Sequence, residues 1–402
     1  MLKPARVAVK VRPAAERALR RRHPWVWEDS ILSIKQGARS GDLAIIFDSK
    51  KNKFLAAGLY DPDSVIRIKV LQFEKTATID ESWFRNKIVE ALEKRSQLLE
   101  TETNAYRLLH GENDGLPGVV CDVYDKVGIV KIYSAAWFPY LEMIVGLIQE
   151  IAELECLVLR LGRTVRDLGN TDFKEGDILL GKLENPVVQF LEHGIKFTAN
   201  VLTGHKTGFF LDHRPNRKKA GKLAKGKRVL DVFCYAGGFS VHALAGGASE
   251  VVSLDVSKPA LMQAQENVRL NDLSGNHRIL QGDAFEEMEK LEKAQEHFDL
   301  IIIDPPSFAK RATEVEKAIS QYQRLAEHAV SLLAKGGMLV LASCSSRVTA
   351  DQFFETIESV LEGSGREFTC VEKTFHDVDH PISFPEGAYL KTGYYEETIG
   401  GW

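Results

Sequence analysis

Apolar and polar residues alternate in short segments along the first part of the chain. Two such runs are DLAIIFD at 42–48 and VIRIKVL at 65–71, and glycine, asparagine and aspartate residues separate them. A period of two between turn residues is typical of half-buried strands. The pattern predicts a small β-barrel-like domain over residues 1–74.

The next part of the chain mixes helical and strand-like patterns. An amphipathic segment at 81–100 has its apolar residues spaced for one helix face, and a further helix is predicted at 140–154. Strand-like runs lie at 119–123, 127–133, 156–161 and 186–191. This mixture predicts a small α+β middle domain over residues 75–189.

From about residue 190 the strand-like runs become continuously apolar and alternate with helical patterns. They lie at 228–233, 251–255, 278–281, 300–304 and 338–343. Runs of this kind are expected in a parallel sheet that helices cover on both faces. We therefore predict a doubly wound, Rossmann-like α/β domain over residues 190–402.

Composition narrows the class of protein. The 402 residues are 44% hydrophobic and 27% charged, which is typical of a globular chain, and no apolar stretch is long enough for a membrane span. The five cysteines are dispersed without a CxxC pair. We expect a cytoplasmic protein with reduced thiols, no metal site and no membrane partner.

Charge is unevenly distributed despite a net value of −4. The stretch from Lys3 to Arg22 contains eight basic residues and one acid, Glu16, and the stretch at 206–228 contains one acid, Asp212. Either stretch alone is as compatible with a solvated surface as with a binding site, but together they favour a polyanionic partner. The candidate contacts are Arg20, Arg21, Arg22, Lys206, Arg214 and Arg217.

The run VLDVFCYAGGFS predicts a ligand site. Asp231 lies at the end of a predicted strand, and Gly237 and Gly238 precede a predicted helix. In a doubly wound fold, nucleoside ligands bind at the carboxyl ends of the strands, where glycine allows close approach of the backbone. A single glycine-rich turn is also explained by tight strand-to-helix packing.

Acids at four successive strand ends strengthen this interpretation. Asp255 is placed to accept hydrogen bonds from ribose hydroxyls, Asp283 follows the third strand, and Asp304 begins Asp-Pro-Pro after the fourth. The chain lacks GxGxxG at this turn and lacks GxxxxGK[ST]. The ligand should carry adenosine without phosphate, which indicates S-adenosylmethionine. The predicted cofactor contacts are Asp231, Phe233, Cys234, Tyr235, Ala236, Gly237, Gly238, Asp255, Val256, Asp283, Ala284 and Asp304.

The fifth predicted strand, MLVLASCSS, places Cys344 at the same sheet edge as Asp304. Carbon 5 of a pyrimidine is a poor nucleophile until a thiolate adds to carbon 6. We therefore assign Cys344 as the nucleophile and Asp304 as the group that positions the base and takes part in proton transfer. Cys234 is the competing thiol, but it is expected to face the cofactor.

Several aromatic residues are candidates for base stacking, although core packing is the more ordinary role of each. They are Trp25, Trp27, Phe209, Phe210 and Phe308.

The chain resembles the PUA-domain-containing bacterial 23S ribosomal RNA cytosine-5 methyltransferases over nearly its whole length. The motifs that carry the resemblance are RHPWVWEDSI, LLHGENDGLPGVVCDVY, KTGFFLDHRPNR, DVFCYAGGFS, DPPSFAK, SCSS and HPISFPEGAYLK. The resemblance implies a PUA domain at the N-terminus, a class I methyltransferase domain at the C-terminus, and Cys344 as a single catalytic thiol. The sequence has Ser307, not cysteine, after Asp-Pro-Pro, which agrees with one thiol.

By this resemblance the substrate is 23S ribosomal RNA and the product 5-methylcytidine. Uridine is the nearest alternative target, in ribosomal or transfer RNA, because the same thiolate addition serves both bases. A non-catalytic RNA-binding protein with a retained cofactor fold is an alternative of a different class. The oligomeric state, a homodimer included, is left open.

Overall fold

The computed structural model describes residues 4–169, 172–273 and 275–398. These divide into two compact units. The first comprises residues 1–191, 199–211 and 378–384, and the second comprises 192–198, 212–377 and 385–402. The three-domain division at 74/75 and 189/190 stays a prediction. Within the described residues, no helix is both long and apolar enough to cross a membrane.

The first unit contains two sheets. One pairs in the order β2-β6-β5-β4-β1-β3 and the other in the order β11-β10-β9-β8-β7. The strands are β1 Arg6–Val11, β2 Trp25–Trp27, β3 Ile31–Ile34, β4 Leu43–Phe47, β5 Phe54–Tyr60, β6 Ile66–Phe73, β7 Ala105–His110, β8 Val119–Tyr124, β9 Val127–Ile132, β10 Cys156–Leu161 and β11 Ile178–Leu180. The helices are α1 Pro13–Arg20, α2 Glu81–Glu93, α3 Ser96–Leu99, α4 Leu141–Ala152 and α5 Arg163–Asp167.

The amphipathic segment at 81–100 is not the single helix that its spacing predicts. It is interrupted between α2 and α3, where Arg95 is fully buried. The Arg95 guanidinium donates to both carboxylate oxygens of Asp114, at 3.0 and 2.6 Å, and to the carbonyl oxygen of Ala91 at 2.9 Å. A buried charge requires such partners. The apolar face that the spacing predicted does pack into the core, through Phe84 and Ile88.

The strands β12 Val187–Glu192 and β13 Ile195–Asn200 form a separate two-stranded sheet. The second unit then follows with β14 Arg228–Val232, β15 Glu250–Asp255, β16 Asn276–Gln281, β17 Phe298–Ile303, β18 Leu333–Ser343, β19 Phe368–Thr374 and β20 Lys391–Glu397. Its helices are α6 Arg214–Leu223, α7 Gly238–Ala245, α8 Lys258–Arg269, α9 Ala284–Lys293, α10 Val315–Leu332 and α11 Ala350–Gly363.

The main sheet of the second unit pairs in the order β16-β15-β14-β17-β18-β20-β19. Strands β14 to β18 are mutually parallel, which confirms the predicted doubly wound fold, and their apolar runs are buried. The strand order reverses between β14 and β17, and ligands bind at such a switch point. The carboxyl ends of these strands therefore form one edge, and the acids predicted for the cofactor site lie along it.

The strands β19 and β20 were not predicted from the pattern. Strand β20 runs antiparallel between β18 and β19, with Val340 opposite Tyr394. The apolar run of β20 covers only Gly393, Tyr394 and Tyr395. Strand β19 forms the edge of the sheet and is largely exposed. Neither strand has the continuous apolar run that marks a central parallel strand.

Candidate active site

The turn after β14 is built from left-handed backbone positions. Phe233, Tyr235 and Gly237 have φ values of 63°, 49° and 75°. A Cβ atom at Gly237 would lie 2.7 Å from the Cβ of Ala264, so a larger residue there requires a shift of α8. This turn brings backbone atoms to the carboxyl edge of the sheet, where the sequence predicted cofactor contacts.

Asp231 is buried beside this turn. Its Oδ2 accepts hydrogen bonds from the Ser240 backbone amide at 3.0 Å and from the Ser240 hydroxyl at 2.6 Å. Its Oδ1 is buried and, within the described residues, has no hydrogen-bond partner. Burial raises the pKa of Asp231 to about 7, and the charges of Asp304 and Asp255 act in the same direction. Oδ1 is therefore available to a ligand that donates a hydrogen bond.

Asp255 is held at the end of β15 by backbone amides. Its Oδ2 accepts from Tyr235 N at 2.9 Å and its Oδ1 from Ser257 N at 2.8 Å. The side chain is half-buried, and the next residue, Val256, is exposed. The two amides orient the carboxylate and leave further lone pairs for ribose hydroxyls.

Asp283 has a structural role that the sequence analysis did not recognise. Its side chain is the N-cap of α9 and accepts from Phe285 N at 3.0 Å and Glu286 N at 3.3 Å, with Ala284 buried at the first turn. Capping stabilises the start of α9. Asp283 thus lies at the predicted edge of the sheet. Its contact with a cofactor stays a prediction.

Asp304 and Cys344 follow neighbouring parallel strands. Asp304 comes directly after β17 and Cys344 directly after β18, and Ile303 pairs with Leu341. The Cys344 thiol donates a hydrogen bond to the carbonyl oxygen of Pro305 at 3.4 Å. Both side chains are half-buried. The sulfur is thus held against the Asp-Pro-Pro segment at the sheet edge where the sequence predicted it.

The competing thiol, Cys234, is nearly inaccessible. It is buried, and its Sγ lies 3.7 Å from the carbonyl oxygen of Tyr235. Burial raises the pKa of Cys234 well above its ordinary value, and Asp231 and Asp255 add to this effect. A thiol that resists ionisation is a poor nucleophile.

His213 faces Asp304 and was missed by the sequence analysis. Its Nε2 lies 3.2 Å from Asp304 Oδ1, and its ring packs edge-to-face on Phe239. Its Nδ1 lies 3.1 Å from Asn216 Nδ2, and Asn216 Oδ1 accepts from the Thr374 hydroxyl at 2.7 Å. With the amide in this orientation Nδ1 is an acceptor, so a neutral ring carries its proton on Nε2. Nε2 is buried and, within the described residues, lies close to Asp304 without forming a hydrogen bond. The only signal in the sequence was its place in KTGFFLDHRPNR.

Lys391 lies near Cys344 and was also missed. Its ammonium group is buried and donates to the carbonyl oxygens of Ser345, Val348 at 2.6 Å and Tyr389 at 3.2 Å. Burial lowers the pKa of Lys391 to about 8, while the charge of Cys344 opposes that shift. The lysine fixes the loop that carries the thiol, and its charge favours the thiolate.

Two of the predicted RNA contacts are corrected by the structure. Arg214 and Arg217 are buried. Arg217 binds both carboxylate oxygens of Glu192 at 2.6 Å, and Arg214 binds Asp377 at 2.6 Å. The buried guanidinium groups are paired with Glu192, which is buried, and with Asp377, which is half-buried, because an unpaired buried charge is costly. Direct contact with an RNA phosphate is therefore no longer proposed for either residue.

The other predicted RNA contacts are exposed. Arg20 forms an ion pair with Asp48, Arg21 is exposed, and the Arg22 guanidinium lies 5.7 Å from the centre of the Phe73 ring. The Lys206 ammonium lies 4.2 Å from the ring centre of Phe210. Lys3 lies outside the described residues. Contact of Arg20, Arg21, Arg22 and Lys206 with RNA stays a prediction.

The aromatic candidates divide between packing and surface. In the first unit Phe209 is buried, while Trp25 packs edge-to-face on Trp27 and on Phe384, with ring centres 5.7 and 5.0 Å away. In the second unit Phe308 is half-buried beside the Asp-Pro-Pro segment. Phe308 is therefore the aromatic candidate that lies nearest to Asp304 along the chain, four residues after it.

A doubly wound fold with acidic residues at the carboxyl edge of its sheet is typical of enzymes that bind a nucleoside. A family model described as S-adenosylmethionine-dependent methyltransferase matches residues 178–388, and one described as PUA-like domain matches residues 9–73. The chain belongs to the family of S-adenosylmethionine-dependent methyltransferases, with a PUA-like domain at its N-terminus. The predicted cofactor class and the predicted fold are confirmed.

Relatives match nearly the whole chain. A Deinococcus radiodurans protein named ribosomal RNA large subunit methyltransferase is 41% identical over 393 residues, which cover 96% of each chain. An Alteromonas mediterranea protein named ribosomal RNA large subunit methyltransferase I is 34% identical and covers 95% of this chain and 97% of its own.

Solved structures share the fold. A Streptococcus mutans structure described as a SAM-dependent methyltransferase has a TM-score of 0.81 at 22% identity, covering 97% of this chain and 99% of its own. A methyltransferase structure described as complexed with SAH has a TM-score of 0.82 at 23% identity, covering 98% of this chain and 100% of its own.

Proposed function

We propose that this enzyme methylates carbon 5 of a cytidine in large-subunit ribosomal RNA, with Cys344 as a covalent nucleophile. The relatives named above are large-subunit ribosomal RNA methyltransferases, which supports the substrate class. The observation that carries the chemistry is the hydrogen bond from the Cys344 thiol to the Pro305 carbonyl at 3.4 Å. It places a half-buried thiol beside the segment that begins with Asp304.

The residues at the sheet edge fit S-adenosylmethionine. Asp255 would bind the ribose hydroxyls, the buried Oδ1 of Asp231 would accept a hydrogen bond, and the left-handed turn from Phe233 to Gly237 leaves room for close contact. When bound, the cofactor supplies an electrophilic methyl group. Burial of Asp231 keeps water from competing for its contact.

Cys344 would act first. After losing its proton, its sulfur forms a bond to carbon 6 of the base, and the electron pair of the 5,6 double bond moves to carbon 5. Carbon 5 would then form a bond to the methyl group, whose bond to the sulfur of the cofactor breaks, and S-adenosylhomocysteine would leave with that electron pair. Removal of the carbon 5 proton restores the double bond, breaks the sulfur–carbon bond and returns Cys344 as a thiolate.

Asp304 would contact the polar edge of the base and take part in the proton transfers. His213 Nε2, 3.2 Å from Asp304 Oδ1, would hold that carboxyl group in place. The positive charge of Lys391 would favour the thiolate form of Cys344 before attack and after release.

The test compares three full-length proteins on ribosomal RNA from cells that lack the gene, with labelled cofactor and mass spectrometry of the nucleosides. The unaltered enzyme should produce 5-methylcytidine, Cys344→Ala should produce none, and Cys370→Ala should retain full activity because Cys370 is exposed on β19. Full activity of Cys344→Ala would exclude the covalent mechanism.

The same experiment separates the alternatives. A 5-methyluridine product would move the proposal to uridine. Cofactor binding by calorimetry without methylation of any RNA would favour a non-catalytic RNA-binding protein.

A further inference from the structure

A groove opens beside the catalytic acid in the second unit. Its volume is about 510 Å³, and it is lined by Ser307, Phe308, Lys310, Glu314, Lys317 and Gln321. It starts three residues after Asp304 along the chain and ends on the first turns of α10. We call it the α10 groove.

The α10 groove is positively charged. Lys310, Arg311 and Lys317 are exposed, and within the part of the chain that the structure describes none of them forms an ion pair. The acid of the groove, Glu314, accepts hydrogen bonds from the backbone amides of Lys310 at 2.7 Å and Arg311 at 3.1 Å. These hydrogen bonds lower the pKa of Glu314, so its one negative charge faces three positive ones.

The positive surface continues along α10. Lys317, Gln321 and Arg324 are spaced by four and three residues, so they lie on one face of the helix. The Arg324 guanidinium lies 4.4 Å from the centre of the Phe285 ring, which supports it at the surface. The groove and this face form a continuous strip.

Phe308 supplies an aromatic surface in the same groove. Its ring centre lies 5.2 Å from that of buried Tyr322, whose hydroxyl is 2.8 Å from the hydroxyl of Ser343. The ring is thus fixed from the core side and half-exposed on the other. A fixed aromatic ring beside unpaired cations is the arrangement with which proteins bind single-stranded nucleic acid.

The basic residues of α6 differ from those of the α10 groove in their partners. The α6 arginines Arg214 and Arg217 form ion pairs with Asp377 and Glu192, although they belong to a stretch that is strongly basic in the sequence. The cations of the α10 groove are few and dispersed in sequence, yet they lack such partners. Their exposed charges are thus available to an external anion.

We propose that the α10 groove binds the nucleotides that flank the target base. Phe308 stacks on a neighbouring base, Lys310 and Lys317 contact phosphates, and Arg324 extends the path. This assignment rests on the proposed function, which supplies the RNA substrate. It further specifies the path of the RNA strand relative to Asp304.

The first test measures binding of a fluorescein-labelled single-stranded RNA of about 12 nucleotides to the full-length protein at several salt concentrations. Lys310→Ala/Lys317→Ala should raise the Kd roughly tenfold and reduce the salt slope by about 0.7 for each lost phosphate contact. The control, Lys290→Ala/Lys293→Ala, removes two lysines that pair with Glu287 and Glu289 on α9, and it should bind like the unaltered protein.

The second test uses Phe308. Replacement by Leu should weaken RNA binding roughly tenfold, while Phe308→Tyr should retain it, because only the tyrosine keeps a stacking ring. The Kd for S-adenosylmethionine should be unchanged in both variants, which separates loss of stacking from misfolding.

Unchanged Kd and salt slope in both the lysine and the phenylalanine variants would overturn the groove assignment. If the unaltered enzyme also forms 5-methylcytidine, the groove assignment fails alone. If it methylates no RNA but the groove variants still weaken binding, the proposed reaction fails and the groove stands.

Discussion

His213 shows how much of this site depends on single side chains outside the obvious motifs. Its ring is buried, fixed by Asn216 on one nitrogen and directed at Asp304 with the other. It does not reach the surface of the site, so we regard it as a positioning residue. Without it, the Asp304 carboxyl group would lose a neighbour that limits its orientation.

We predict that His213→Leu lowers kcat about 100-fold with little change in KM for RNA, since small misplacements of a catalytic group have effects of this size. His213→Gln should recover much of the loss, because its side chain keeps a polar group of similar reach beside Asp304. Steady-state kinetics on the RNA substrate would measure both. A Leu variant with the kcat of the unaltered enzyme would refute the positioning role.

At the residue scale, sequence patterns predicted the positions of the acidic residues better than the accessibility of the basic residues. Asp231, Asp255 and Asp304 lie at one edge because each lies at or directly after the carboxyl end of a parallel strand, and strand ends are visible in sequence. Arg214 and Arg217 looked accessible because composition carries no information on which face of α6 is buried. Their partner Glu192 lies more than 20 residues earlier, beyond the reach of any local pattern.

At the element scale, the buried pair of Glu192 and Arg217 connects β12 to α6. Burial opposes ionisation of Glu192, but Arg217 and His242 outweigh it and hold the pKa of Glu192 well below its ordinary range. A carboxyl group with a lowered pKa stabilises the folded state above its unfolded pKa. That stabilisation is lost as pH falls towards the folded pKa.

We predict that Glu192→Gln lowers the free energy of unfolding by about 3–5 kcal/mol at neutral pH, because it leaves Arg217 buried without its charge partner. The deficit should shrink as pH falls below about 4, because Glu192 then becomes protonated in the unfolded chain while the folded state keeps it ionised down to its lower pKa. Urea unfolding at several pH values would measure it. The exposed change Glu316→Gln on α10 is the control, and an equal deficit at neutral and acid pH would contradict the assignment.

The elements themselves were predictable to different degrees. The central strands β14, β15 and β17 have apolar runs whose positions were predicted closely, whereas β18 begins at Leu333, five residues before its predicted start at 338. Strand β20 was missed because its burial depends on β18 and β19, which lie on either side of it and are distant in sequence. The break between α2 and α3 was missed for a similar reason, since it depends on the partner of Arg95.

At the scale of the whole molecule, a net charge of −4 works against binding to a polyanion. Attraction to RNA must therefore come from local positive surfaces. The structure reduces the predicted second stretch to its exposed lysines, such as Lys218, Lys222 and Lys225, and adds the α10 groove, which linear charge counting cannot find. In the N-terminal stretch, Arg20 is already paired with Asp48, whereas Arg21 is exposed.

Because Arg20 is paired with Asp48 and Arg21 is not described as paired, variants can measure which arginines of the N-terminal stretch contribute to RNA binding. We predict that Arg21→Gln/Arg22→Asn reduces the salt slope of RNA binding by about 1.4, two phosphate contacts at roughly 0.7 each. Asparagine is chosen at position 22 because Arg22 has a φ of 63°, a left-handed conformation that asparagine tolerates. Arg20→Gln should change the slope much less, since its charge is largely offset by Asp48. An effect of Arg20→Gln half as large as that of the double variant would mean that this stretch acts only through its summed charge, and no effect of either would remove it from the RNA-binding surface.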